Sequence, residues 1–401
     1  MSCWKKVWLG CALVAAMAIT SSARAQTYLE TVVHNFARPD GIDPSSLVAG
    51  KNGNLYGTTG SGGAYNLGTV FQIDKTGREK VLYSFKGKPD GYAPVTLLAS
   101  GSGGFYGLTA RGGTLGFGTV FKLDMSGNEV VLYNFTGGSD GWFPNALVQD
   151  AAGNLYGTTY WGGTSGFGTV FKVTPSGTET VLHSFSGTPD GEEPSGLVRD
   201  AAGNLYGTTY VGGPYQDCGF WNTGCGIVFK ISPEGEETTF YSFYYGGKEP
   251  LDGEQPSGTL ILDAAGNLYG TTQDGGGDGL YGMVYKLSPT GEETILYSFF
   301  GDFDGENPYA GLVRDPAGNL YGTTYEGGNK GNCYGGFFYS GCGTVFEISP
   351  SGVETQLHIF TGRDGEYPAF NSLIRDSAGK LYGTAGGGAY GGGLVFKLTP
   401  Q

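Results

Sequence analysis

A seven-residue string, Gly53-Asn54-Leu55-Tyr56-Gly57-Thr58-Thr59, returns six more times with small changes, starting at Gly103, Gly153, Gly203, Gly266, Gly318 and Gly379. The steps between copies are 50, 50, 50, 63, 52 and 61 residues. This recurrence constrains the fold more than length does. A chain of 401 residues would otherwise suggest two or three domains. A repeat of this size is one supersecondary unit that buries its faces only against its neighbours. The third copy shows the unit best. Residues 144–150, 154–159, 168–174 and 179–185 each read as a short strand, rich in β-branched and aromatic residues and bounded by Gly, Pro, Asn or Asp. Four strands per repeat predict an all-β chain forming a single seven-bladed β-propeller of four-stranded blades.

The ends of the repeat array favour a closed ring over a solenoid. The sequence after residue 26 opens with an isolated fourth strand, residues 31–36, and the array stops after a third strand, residues 393–399. The N-terminal strand is therefore expected to complete the last blade and remove an open sheet edge. A chain with 77 glycines, 14% aromatics and only 15% charged residues suits a β protein with many tight turns. Taken together, G-N-L-Y-G-T-T, the following G-G, G-T-V-F-K and E-T-V-L-Y-S-F resemble the GloVer tandem repeat of exported bacterial proteins. The resemblance spans residues 30–400. The second copy departs from it with Gly104-Phe105-Tyr106-Gly107-Leu108-Thr109. It implies an exported repeat protein and no particular chemistry.

Residues 1–25 read as a signal peptide: Lys5 and Lys6, an apolar stretch from Val7 to Thr20, and an Ala23-Arg24-Ala25 cleavage site. The propeller is then residues 26–401, secreted or periplasmic, with no membrane span. Cleavage would remove three bases and no acid, taking the net charge from −14 to −17. So acidic a chain is a poor match for nucleic acid, whose binding depends on basic residues neutralising phosphates. A neutral or cationic partner is the easier case. Cys3 and Cys11 leave with the signal, and the other four cysteines fall into two local pairs, Cys218/Cys225 and Cys333/Cys342. Two disulfides are expected, each contributing about 2–3 kcal/mol. Neither pair has the spacing of a zinc site. The core is large enough to need no cofactor, and a monomer is expected.

Comparing the copies with one another separates frame from candidate site. His34, His183 and His358 occupy the slot held by Tyr83, Tyr133, Tyr241 and Tyr297 elsewhere. A histidine that alternates with tyrosine is read as packing, so no catalytic histidine and no metal site are expected. Asp-Gly-x-x-Pro recurs at Asp40, Asp90, Asp140, Asp190, Asp252, Asp304 and Asp364. It is read as a turn between blades, the alternative being carboxylates for Ca²⁺.

In an up-and-down blade the second-to-third-strand loops and the blade-to-blade loops open on one face. That face carries the length variation and both cysteine pairs, whereas turns on the other face are monotonous. Varied loops on a rigid frame are where binding usually resides. The residues ending each second strand break the sevenfold pattern there, offering Arg111, Tyr160, Trp161, Tyr210, Asp274, Tyr325 and Glu326 as candidate ligand-binding residues. Trp142, Glu192, Glu254, Glu306 and Glu366 lie in the adjoining loops, and Trp221 inside the first cysteine loop. Flat aromatics beside carboxylates suit sugar rings, and the varied loop face suits an extracellular polysaccharide or a partner protein. The expected function is thus a binding module. A carbohydrate-active enzyme, either a glycoside hydrolase or a polysaccharide lyase with Asp274 and Glu326 as a catalytic carboxylate pair, is the alternative. A purely structural surface protein is the third reading.

Overall fold

The structure is a computed structural model that describes residues 27–101, 103–215, 218, 223–244, 252–277, 281–301, 303–328, 333, 341–368 and 372–401. The expected signal peptide and Trp221 lie outside the described residues.

Seven four-stranded antiparallel sheets follow one another along the chain as the blades of a propeller, and no helix occurs among the described residues. Blades one to six span residues 42–84, 92–134, 142–184, 192–242, 253–298 and 313–359. The seventh is made of Ile374–Arg375, Leu381–Ala385 and Leu394–Pro400, with the N-terminal strand Tyr28–Asn35 added at its outer edge. Tyr28 sits opposite Pro400, and Asn35 opposite Leu394. The ring is closed by the N-terminal strand as expected, although that strand starts three residues before the anticipated Thr31. First strands also begin early. In blade three the strand is Trp142–Gln149, because Trp142 already pairs with Trp161 ahead of the bulge that follows Pro144.

The cohesion between blades comes from a phenylalanine relay. The Phe that ends each fourth strand packs on the third-strand aromatic of the next blade. Phe85 meets Phe121 at 5.2 Å between ring centroids, Phe135 meets Phe171 at 5.1 Å, and Phe360 meets Phe396 at 5.1 Å. Phe36, just past the N-terminal strand, meets Phe71 of blade one at 4.8 Å and completes the circle. Each of these rings is at most 1% exposed, and burying one contributes about 1.5–3 kcal/mol. The same rings explain the glycine inside Leu-Tyr-Gly-Thr. A Cβ on Gly157 would lie 2.4 Å from the Phe171 ring and 2.4 Å from the Ala146 carbonyl oxygen, so only glycine fits beneath the ring.

The Asp-Gly-x-x-Pro segments and the Tyr/His slot turn out to be one structure. Asp90 accepts hydrogen bonds from the Tyr83 hydroxyl at 2.5 Å and from the Lys86 backbone N–H. Asp140 accepts from Tyr133 at 2.8 Å and from the N–H and hydroxyl of Thr136. His34, His183 and His358 occupy the tyrosine's place against Asp40, Asp190 and Asp364 at 2.8, 2.9 and 3.1 Å. The aspartates therefore tie each fourth strand to the turn that leaves it. The glycine that follows is dictated by sterics: Gly141 has φ +91°, and a Cβ there would sit 2.0 Å from Thr159 Oγ1.

Candidate functional site on the loop face

The two loop sets expected to share a face do meet. Backbone bonds run from Gly63 N–H to Arg38, Gly113 to Gly87, Gly163 to Gly138, Gly213 to Gly187 and Gly276 to Asp252, each linking a second-to-third-strand loop to a blade-to-blade loop. Both cysteine pairs are bonded on this face, with Cα–Cα distances of 4.8 Å for Cys218–Cys225 and 5.4 Å for Cys333–Cys342.

The device that shapes the face is the residue before each proline. Asp43, Ala93, Phe143, Glu193, Gln255, Asn307 and Tyr367 all have positive φ, between 52° and 60°, a conformation that costs a non-glycine residue energy and persists only where its surroundings impose it. Each is held there by its own N–H, which donates to a carbonyl of the preceding blade's loop: Phe143 to Phe117 at 3.3 Å, Glu193 to Phe167 at 3.0 Å, Gln255 to Cys225 at 3.0 Å. The strained residue thus stitches two blades together. In blades four to seven its side chain is delivered to the second-strand end of the preceding blade.

Those side chains assemble the candidate residues. Tyr160 and Trp161 both donate to Glu193, at 2.7 and 3.3 Å. The Trp161 ring lies 4.6 Å from Trp142 at 32°, 5.4 Å from Phe143 and 4.6 Å from Tyr160. Arg111 is exposed and stands 5.8 Å over the Phe143 ring. The Tyr210 hydroxyl reaches the Gln255 Oε1 at 3.0 Å and also the Gln273 side chain. Tyr309 lies within its electrostatic reach and packs 5.5 Å from Tyr325. Tyr325 stacks on Tyr367 at 4.7 Å and 27°. Asp274 accepts from the Asn307 amide at 2.9 Å. Glu326 pairs through its backbone with Glu306 of the same blade.

The electrostatics are one-sided. Burial, reinforced by Glu254, pushes the Asp274 carboxyl up to about 6. Burial pushes Tyr309 up to about 12, and raises Tyr160 and Tyr210 well above the ordinary tyrosine range. These phenols stay protonated and act as donors. The structure therefore joins Arg111, Tyr160 and Trp161 into one group and Tyr210, Asp274 and Tyr325 into a neighbouring one. For Asp274, Asn307 is a hydrogen-bond partner and Glu254 the neighbouring charge, and Tyr309 lies within electrostatic reach of both Asp274 and Glu326. A shallow open depression of about 530 Å³ lies elsewhere on the face, at Arg38, Pro39 and Gly63–Asn66. It carries none of these groups. Sequence comparison missed Phe143, Glu193, Gln255, Asn307, Tyr309 and Tyr367. The available signal was that the slot before proline differs in all seven copies.

The Gloeobacter/Verrucomicrobia repeat matches residues 18–146, 145–340 and 219–401, overlapping segments that take in every blade. The chain belongs to the Gloeobacter/Verrucomicrobia repeat family. No curated protein matches it. Among solved structures, this family member is similar to a streptogramin B lyase, with TM-score 0.61 at 14% identity, covering 93% of this chain and 98% of that one. It is similar to virginiamycin B lyase from Staphylococcus aureus, with TM-score 0.58 at 12% identity, covering 93% and 99%. It is also similar to the extracellular domain of a one-component system from B. thetaiotaomicron, with TM-score 0.59 at 9% identity, covering 94% of this chain and 40% of that one. At these identities the likeness concerns the propeller fold that the Gloeobacter/Verrucomicrobia repeat builds.

Proposed function

We propose that this protein is an exported binding module, cleaved after residue 25, that captures a partner protein through a basic, partly apolar segment at the loop-face mouth of blades three to six. The carrying observation is the chemistry of that mouth. Tyrosine and tryptophan rings stand among Glu192, Glu193, Glu254, Asp274, Glu306 and Glu326, with Arg111 of blade two alongside. Aromatic faces beside carboxylates favour cations and reject anions. The extracellular location draws support from the two disulfides and from the extracellular domains that share the fold.

A glycan fits less well. Trp161 and Tyr325 already lie against Trp142 and Tyr367, so part of each flat surface is taken. Titration of the protein with lysine- and arginine-rich peptides, and with neutral oligosaccharides, tests the reading. Saturable peptide binding that weakens with salt, and weakens at least about tenfold in Trp161→Ala and Glu193→Gln, is expected. Binding that ignores both substitutions, or binding of oligosaccharides alone, overturns it.

One observation keeps a hydrolytic reading in view: a carboxyl raised to about 6 in a mouth suits a general acid. If that reading holds, Asp274→Asn abolishes turnover of a polysaccharide, and Glu254→Gln shifts its pH profile downward.

A further inference from the structure

At three of the seven blade junctions the slot against the inter-blade aspartate is filled by histidine. The next blade adds a carboxyl to each. Glu79, at the start of the fourth strand of blade one, approaches His34 and Asp40, and the ligating atoms of the three residues lie within 4.8 Å of one another. Glu237 stands beside His183 and Asp190, and Glu30 beside His358 and Asp364. We propose that the His34–Asp40–Glu79 junction binds a divalent transition-metal ion of the zinc type, and that the His183 and His358 junctions are weaker versions of the same site.

Four observations carry this. The donor set of one imidazole and two carboxylates is one that zinc accepts. The aspartate is fixed in place: Asp40 Oδ1 accepts the Ala37 N–H at 2.9 Å, which leaves Oδ2 facing His34 Nε2 at 2.8 Å. Asp190 and Asp364 are held in the same way by Ser186 and Thr361. The third ligand is available: Glu79 Oε1 is buried and has no hydrogen-bond partner among the described residues, as is true of the matching glutamate at all seven junctions, so the imidazole is what sets this junction apart. Finally, an ion can reach the site, since the His34 and Asp40 side chains are 18% and 21% exposed. Binding would put the metal where the proton between Nε2 and Oδ2 lies, with the neutral imidazole then carrying its one proton on Nδ1. The third ligand comes from the following repeat, so comparison of slots within one repeat cannot reveal the triad.

The other four junctions provide the control, because tyrosine fills the slot there and still donates to the aspartate, as Tyr83 does to Asp90. His34→Tyr should therefore keep the fold and lose the ligand. The experiment is calorimetric titration of the chelator-stripped protein with Zn²⁺ in two buffers of different ionisation heat, with circular dichroism to confirm folding. The expected result is one tight equivalent, weakened at least about tenfold in His34→Tyr, and weaker equivalents lost in His183→Tyr and His358→Tyr. Glu79→Gln removes a group that makes no hydrogen bond through its buried oxygen, so it serves if the tyrosine variant is unstable, with the same loss expected. Absence of saturable Zn²⁺ binding to the parent, or a tight equivalent unchanged in folded His34→Tyr or Glu79→Gln, overturns the proposal. Neither outcome bears on the loop-face mouth.

Discussion

Tyr285 occupies the third-strand aromatic position that is phenylalanine in the other six blades, and its ring continues the relay at 5.2 Å from Phe243. Its hydroxyl is fully buried and has no hydrogen-bond partner among the described residues. An unsatisfied buried hydroxyl costs about 1–3 kcal/mol, whereas the ring itself is needed. Tyr285→Phe should therefore raise the unfolding midpoint, with a gain of about 1 kcal/mol or more by denaturant titration. A loss would mean that the hydroxyl has a partner in solution. The residues before proline pose the reverse case. Glu193 holds a costly backbone conformation, and what it gains is the placement of one carboxylate against both Tyr160 and Trp161.

At the scale of strands and turns, the aspartate of each Asp-Gly-x-x-Pro segment fastens a fourth strand to its exit. Removing Asp140 would leave the Tyr133 hydroxyl and both Thr136 donors without their acceptor. Asp140→Ala should cost about 2–3 kcal/mol, and Asp140→Asn, which keeps one acceptor oxygen, clearly less; equilibrium unfolding of the pair distinguishes them. This scale also shows what could be read beforehand. Strands, blade count, disulfides and ring closure were legible because seven copies of one pattern repeat the same hydrophobic and turn signals. The shape of the mouth was not. Phe143 and Asn307 reach it through a positive φ ahead of proline, which no propensity of Phe or Asn announces. The carboxyl pairs between blades were hidden for another reason: Glu129 and Asp90 belong to different repeats, and only the ring geometry brings them together.

Across the whole molecule those carboxyl pairs recur at every junction, Glu against Asp. Burial, followed by the neighbouring aspartate, pushes Glu79, Glu129, Glu179 and Glu354 up to about 7, and Glu293, beside Asp252, up to about 8. A carboxyl that holds its proton more tightly when folded stabilises the fold fully below its ordinary value of 4.5, and that contribution fades as pH rises through about 7. Thermal midpoints should accordingly fall between about pH 5 and pH 8, and a combined Glu79→Gln, Glu129→Gln, Glu179→Gln variant should show a flatter profile. An unchanged profile would mean that the junction carboxyls are solvated. The closing strand has a further consequence, one of time. Tyr28–Asn35 leaves the ribosome long before its partner, Leu394–Pro400. Until then the seventh blade lacks its rim and Phe71 lacks Phe36, so assembly order runs against synthesis order and the clasp is the final piece to seat. Such a long loop closure makes folding slow, and a truncated chain has no way to finish it.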